Sequence, residues 1–188
     1  MNLISAVVAF FVYASFIVGI WIVFRKTHSD APMLVVLKLG ALVSAGAYVF
    51  TIFNSEPAFD RNLAGVFLYA ASFGLFIWSS IWTRTTKLTL AFSSDKPLFV
   101  LKYGPWKYVR HPFYTAYLLS YIAGTVTSGE IWTLSFFLGM TLVYFLAAQA
   151  EEQKFANSDL QEEWLAWKNK TGMFLPNLRS LFFTTDHE

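Results

Sequence analysis

The stretch R-H-P-F-Y-T-A-Y-L-L-S-Y-I-A-G-T-V-T-S-G-E-I-W-T-L-S-F-F-L-G-M-T-L-V-Y-F-L-A-A-Q-A-E-E, residues 110–152, decides the fold. It holds two apolar runs, Phe113 to Gly129 and Ile131 to Ala150, with its charges at the joint and at the two ends. A helix needs about 20 mostly apolar residues to cross a bilayer. The second run meets that length, and the first is shorter and more polar. A joint this tight makes the two helices antiparallel neighbours. Their ends then bring Arg110 and His111 to one mouth with Glu151 and Glu152.

Working outward, three more runs are long enough to span: Leu3 to Phe24, Met33 to Phe53 and Leu63 to Trp82. Only Lys38 interrupts the second of these, near one end, where it can snorkel to the headgroups or touch one of them. The chain of 188 residues is 56% hydrophobic, 19% aromatic and 14% charged, with a mean hydropathy of +0.48. Soluble domains are about 45–50% apolar and about 25% charged. The expected fold class is therefore an all-α integral membrane protein, with one domain over residues 1–188 and about five transmembrane helices. Spans four and five form a helical hairpin. The first three spans read as nearly featureless apolar helices.

Charge sets the expected topology. Basic residues follow span one (Arg25, Lys26), crowd the segment between spans three and four, and return after span five. The positive-inside rule places the N-terminus outside and the C-terminus in the cytoplasm. Span one lacks a basic leader and a signal-peptide length, so it reads as a retained helix. The small size fits a prokaryotic inner membrane as the expected location. A net charge of +2 gives no case for nucleic acid. The absence of cysteine removes thiolate metal sites and disulfides. His28, His111 and His187 lie in unrelated segments, so no metal site is expected.

Two cytoplasmic pieces surround the charged mouth. Lys87 to Phe92 alternates, Ser93 to Pro97 reads as a turn, and Leu98 to Leu101 is a second apolar run; together they suggest a small β-hairpin or loop. After span five, Ser158 and Gln161 have capping-box spacing. Leu160, Trp164 and Trp167 then share one face of an amphipathic helix that Gly172 can end. The Trp pair reads first as packing or as an interfacial anchor.

Two adjacent carboxylates at a membrane boundary demand a cationic partner. One reading of Arg110, Glu151 and Glu152 is a structural lock between spans four and five. The other is a site for a ligand that carries both a carboxylate and an ammonium, such as the amino-acid end of S-adenosylmethionine. Arg, His or backbone N–H groups hold the carboxylate, and a Glu holds the ammonium. Tyr103, Trp106, Tyr108 and Tyr114 can face a sulfonium or stack on adenine. A nucleotide-phosphate site fits less well, because the chain has neither G-x-G-x-x-G nor a Walker-type loop.

The run L-F-V-L-K-Y-G-P-W-K-Y-V-R-H-P-F-Y at 98–114, the E-E pair at 151–152 and L-Q-E-E-W-L-A-W-K-N-K-T-G-M-F-L-P at 160–176 resemble the isoprenylcysteine carboxyl methyltransferase and phospholipid methyltransferase superfamily. The resemblance covers about residues 98–176. It implies an integral membrane methyltransferase that uses S-adenosyl-L-methionine. It implies that Leu98, Phe99, Val100 and Leu101 line the cofactor, that Trp106, His111, Pro112 and Tyr114 flank it, and that Glu151 and Glu152 hold its charged end. Arg110 then orients the acceptor or cofactor, and Glu152 or Glu151 serves as base if a proton must leave. Trp106, Trp164 and Trp167 stand where the superfamily has Tyr, and Leu160–Gln161 replaces Phe–Gly. The partner implied is a lipophilic or lipid-modified acceptor that enters from the bilayer, either an isoprenylcysteine carboxylate or a phospholipid amine. Alternatives are an NADPH-dependent membrane reductase of the sterol reductase type and a non-enzymatic scaffold.

Overall fold

A computed structural model describes residues 2–23, 32–56, 58–83, 88 and 96–177. Five long helices form: α1 (Asn2–Val23), α2 (Pro32–Asn54), α3 (Phe59–Trp82), α4 (Pro112–Ser128) and α5 (Leu134–Ala156); a short α6 (Gln161–Lys168) follows. No strand is present among the described residues, and an isolated parallel bridge joins Val109 to Gly172. The all-α membrane architecture read from the sequence is the one observed. α2, α3 and α5 are long and apolar enough to cross a bilayer, and α1 is apolar over Leu3–Gly19.

α4 has 17 residues, the short end of the spanning range of about 17–25. It tolerates its Ser, Thr and Tyr because it is covered on nearly every side, and its broadest contact is with α3 rather than with α5. Its ends have local causes. Pro112 occupies the first helical position, where no N–H is needed. Gly129 adopts the left-handed conformation (φ +67°) and returns its N–H to the Thr125 carbonyl. A 3-10 turn, Ile131–Thr133, then starts α5 back along the bundle.

The first three spans are not featureless. Each of α1 to α5 sends a tyrosine to the middle of the bundle (Tyr13, Tyr48, Tyr69, Tyr121 and Tyr144), and α4 adds Tyr117. Ring centroids lie 6.1 Å apart for Tyr13 and Tyr69, 5.6 Å for Tyr48 and Tyr121, and 6.4 Å for Tyr121 and Tyr144. The hydroxyls tie helices together: Tyr48 donates to the Thr133 carbonyl at 2.8 Å, and Tyr121 meets Ser44 Oγ at 3.1 Å. Ser72 donates across to the Ala116 carbonyl at 2.7 Å. Lipid tails compete little for helix faces, so such packing and hydrogen bonds hold helices together in a bilayer. The large apolar side chains of α1, α2, α3 and α5 that point outward are exposed. Lys38 is exposed on α2 among them, which suits a side chain reaching to the headgroups.

Tyrosines fill the middle and tryptophans the ends. Trp78, Trp82, Trp106, Trp164 and Trp167 gather at the end where α4 begins and α5 finishes, and Trp132 stands at the other. Gly124 on α4 lies against the Tyr48 ring, which its own hydroxyl bond and its stacking partners hold in place. A Cβ at this position collides with that ring. Gly124→Ala is expected to lose about 1–3 kcal/mol, the usual cost of overpacking, read as a lower thermal midpoint in detergent.

Candidate functional site

The Leu98 to Leu101 segment was expected as half of a hairpin; residues 87 and 89–95 of that hairpin lie outside the described residues. Leu98 to Leu101 itself is irregular, with no strand partner among the described residues. Among the described residues, none of its backbone groups makes a hydrogen bond. Gly104 (φ +58°) turns the chain beneath Trp82, and a 3-10 turn, Gly104–Lys107, leads to Arg110.

The C-terminal segment departs from its expected limits. Ser158 is not the cap of α6: its Oγ donates to the Phe155 carbonyl at 2.8 Å and accepts from the Leu160 N–H at 3.2 Å, so Leu160 takes the cap position. The spacing was right but the hydroxyl was already committed to the turn after α5. The helix ends at Lys168 rather than at Gly172. Gly172 instead lies beside Val109, where its carbonyl accepts the Arg110 N–H at 2.8 Å and Met173 accepts the His111 N–H at 3.1 Å. Thr115 Oγ1 donates to the Phe174 carbonyl at 2.9 Å. Residues 171–174 are thus sewn onto the start of α4.

These elements enclose a cleft with a cavity of about 110 Å³ that opens to solvent. Leu98, Phe99, Val100, Leu101, Trp106, Arg110, His111, Pro112, Tyr114, Glu151 and Glu152 all line it. The structure therefore brings to one place every residue that the resemblance assigns to the site, whereas Tyr103 and Tyr108, the other aromatic candidates, pack against Trp82 and Trp78 outside the lining. Trp164, Trp167, Phe155 and Lys154 line it too. Trp164 is buried, stacks on Phe155 and is roofed by Lys168 Nζ, 4.5 Å from its ring centroid.

The two glutamates differ sharply. Successive residues on a helix point about 100° apart, as 3.6 residues per turn requires. The Glu152 side chain is 8% exposed and meets three basic groups. Arg110 Nε lies 2.7 Å from its Oε1, His111 Nε2 3.4 Å from the same atom, and Lys168 Nζ 2.9 Å from Oε2. Arg110 Nη1 also donates to the Lys168 and Thr171 carbonyls. It thereby covers the end of α6, where helix carbonyls lack partners. Glu151 is 23% exposed and has lighter company. Tyr114 OH donates to its Oε1 at 2.5 Å, and His111 Nδ1 lies 3.4 Å from its Oε2.

His111 lies between the two carboxylates, stacked on Tyr114 at 5.5 Å. Burial disfavours its charged form, but Glu151 and Glu152 outweigh that, and its pKa rises above the ordinary 6.5. A raised folded-state pKa gives stability that is full below the unfolded value and is lost as pH rises through the folded one. The stability gap between wild type and His111→Gln is expected to be largest near pH 6 and to shrink on the alkaline side. Thermal midpoints across that range check the sign.

Lys168 is the functional neighbour that the sequence reading missed. Two carboxylates against one Arg already called for a second cation, and Lys168 shares an α6 face with Trp164 at i, i+4. No group of His, Asp and Glu suited to a metal ion occurs among the described residues.

No curated protein sequence matches this chain. The phospholipid methyltransferase family profile does match, over residues 60–162. That match takes in α3, α4 and α5, the segment between α3 and α4, and the first residues of α6. With more than half its length matched, the chain belongs to the phospholipid methyltransferase family of membrane proteins.

Proposed function

We propose that this protein is an S-adenosyl-L-methionine-dependent methyltransferase whose acceptor is lipophilic. The observation that carries the reading is the division between the glutamates: Glu152 is saturated by Arg110, His111 and Lys168, while Glu151 keeps capacity to spare in the same cleft. The lock and ligand readings of the charged mouth thus both apply, one to each carboxylate. The residues present fit the cofactor. Glu151 would hold its ammonium, and the unpaired backbone of Leu98 to Leu101 would meet its polar edge. Trp106, Pro112 and Tyr114 would lie against its apolar and cationic surfaces.

When bound, the cofactor supplies a methyl group already activated on a sulfonium. The protein's remaining task is to hold acceptor and donor in line and to keep water out. Trp164 and Trp167 close one side of the cleft, and Phe99 to Leu101 close the other. Arg110 and Glu152 hold α6 to α5 and so position the walls. For an amine acceptor a proton must leave, and a carboxylate of the Glu151–Glu152 pair would be the base. A carboxylate acceptor, as in an isoprenylcysteine, needs no base.

The proposed orientation puts the cleft in the cytoplasm, where the water-soluble cofactor enters, and the N-terminus outside; a prokaryotic inner membrane is the proposed location. Calorimetry of the detergent-purified protein with S-adenosylhomocysteine tests the site. Micromolar binding that Glu151→Gln weakens supports it, and no binding at millimolar ligand refutes it. Transfer of labelled methyl groups into a lipid extract then identifies the acceptor.

A further inference from the structure

The cleft has two walls from distant parts of the chain, and they are held very differently. α6 is anchored at its far end by the Val109–Gly172 bridge and by Arg110, and in its middle by Trp164 stacked on Phe155. Trp167 Nε1 donates to the Trp106 carbonyl at 3.1 Å. The facing strap, residues 97–102, has no backbone hydrogen bond among the described residues. It is fixed after Lys102, where Tyr103 stacks on Trp82 at 6.4 Å and Gly104 turns the chain with φ +58°. Ahead of that hinge, buried Val100 and half-buried Leu101 pack inward, and among the described residues one ionic contact ties the strap to α6: Lys102 Nζ to Glu163 Oε1 at 2.8 Å, with the side chains 38% and 46% exposed.

We propose that the strap is a gate over the cleft and that Lys102–Glu163 is its clasp. The inference rests on the cofactor reading of the cleft, since a methyl donor must enter and its product must leave at every turnover. A deeply buried ion pair is hard to break without penalty. An exposed one contributes little and is screened by salt, so it opens at low cost. The clasp residues line neither the carboxylate pair nor the aromatic wall, so they set the rate of exchange rather than the chemistry.

The chain has no cysteine, so a single reporter thiol can be placed. Val100 is buried on the strap and lines the cleft. In full-length Val100→Cys protein, the rate of labelling by a charged maleimide reads opening. Lys102→Glu and Glu163→Lys are each expected to raise that rate up to about fivefold, and the double exchange is expected to return it near the parent value. Salt at 1 M raises the parent rate and removes the difference. Equal rates in all four proteins overturn the clasp. Leu101→Cys gives the same reading if the first reporter lowers the thermal midpoint. S-adenosylhomocysteine dissociation in the cysteine-free proteins follows the same order. A wild type that binds none refutes the cofactor reading, while the labelling rates still decide the clasp.

Discussion

Glu152→Gln is expected to abolish measurable S-adenosylhomocysteine binding and to lower the thermal midpoint in one step. The carboxylate is the only anion within reach of Arg110 Nε and Lys168 Nζ among the described residues, and it also faces His111 Nε2. Removing its charge leaves those cations clustered beside α5 without an anion between them. Breaking a buried ion pair from one side costs about 3–5 kcal/mol. The lower end applies here, because the cleft admits water and Gln keeps part of the hydrogen bonding. Binding should fall by about 100-fold or more, since the anchor that fixes α6 over the cleft is lost. Glu151→Gln is the contrast: its midpoint stays near wild type while affinity drops. If the two variants behave alike in both measurements, the division of labour between the glutamates is wrong.

Gly172→Ala is expected to have the second largest effect. A Cβ there runs into the backbone carbonyl of Leu175, so no side-chain rotation can relieve the contact. Overpacking costs about 1–3 kcal/mol when side chains give way, and here only the main chain can move. Shifting it pulls on the bridge to Val109, on the Arg110 N–H bond to Gly172, and on the seat of Phe174 against His111. The expected outcome is weak cofactor binding with the membrane helices intact. Circular dichroism should be unchanged while calorimetric heat disappears. Retained affinity in a folded variant refutes this account of how 171–174 support the site.

The bilayer explains why so much of this fold was legible. Backbone groups in hydrocarbon must be paired within their own helix, so a run such as Ile131 to Ala150 has one way to fold. Gly129 then makes the return, and the meeting of His111 with Glu151 follows from chain direction alone. Pro112 and the E-E pair were readable because charge and proline are rare in such segments.

What the sequence hid was settled by competition outside the membrane. Ser158 had the spacing of a cap, but the Phe155 carbonyl claimed its hydroxyl. Gly172 looked like a helix terminator, whereas its use is the close approach to residues 175–177. The unequal company of Glu151 and Glu152 depends on where α6 lands, and local periodicity does not give that. The tyrosine at the middle of each span was in plain view, but its convergence with the others depends on helix rotation, which packing decides.

The placement of the tryptophans gives the protein its own optical probe. Of the tryptophans whose side chains are described, five sit at the cleft end, three in its lining, while the centre of the bundle carries tyrosine instead. Emission excited at the red edge of indole absorption therefore comes largely from the end where a ligand would enter. Quenching by acrylamide or by brominated lipid would separate the indoles that face water from those that face the bilayer. Occupancy, opening and membrane depth become readable in the unmodified protein, with no attached dye to disturb them.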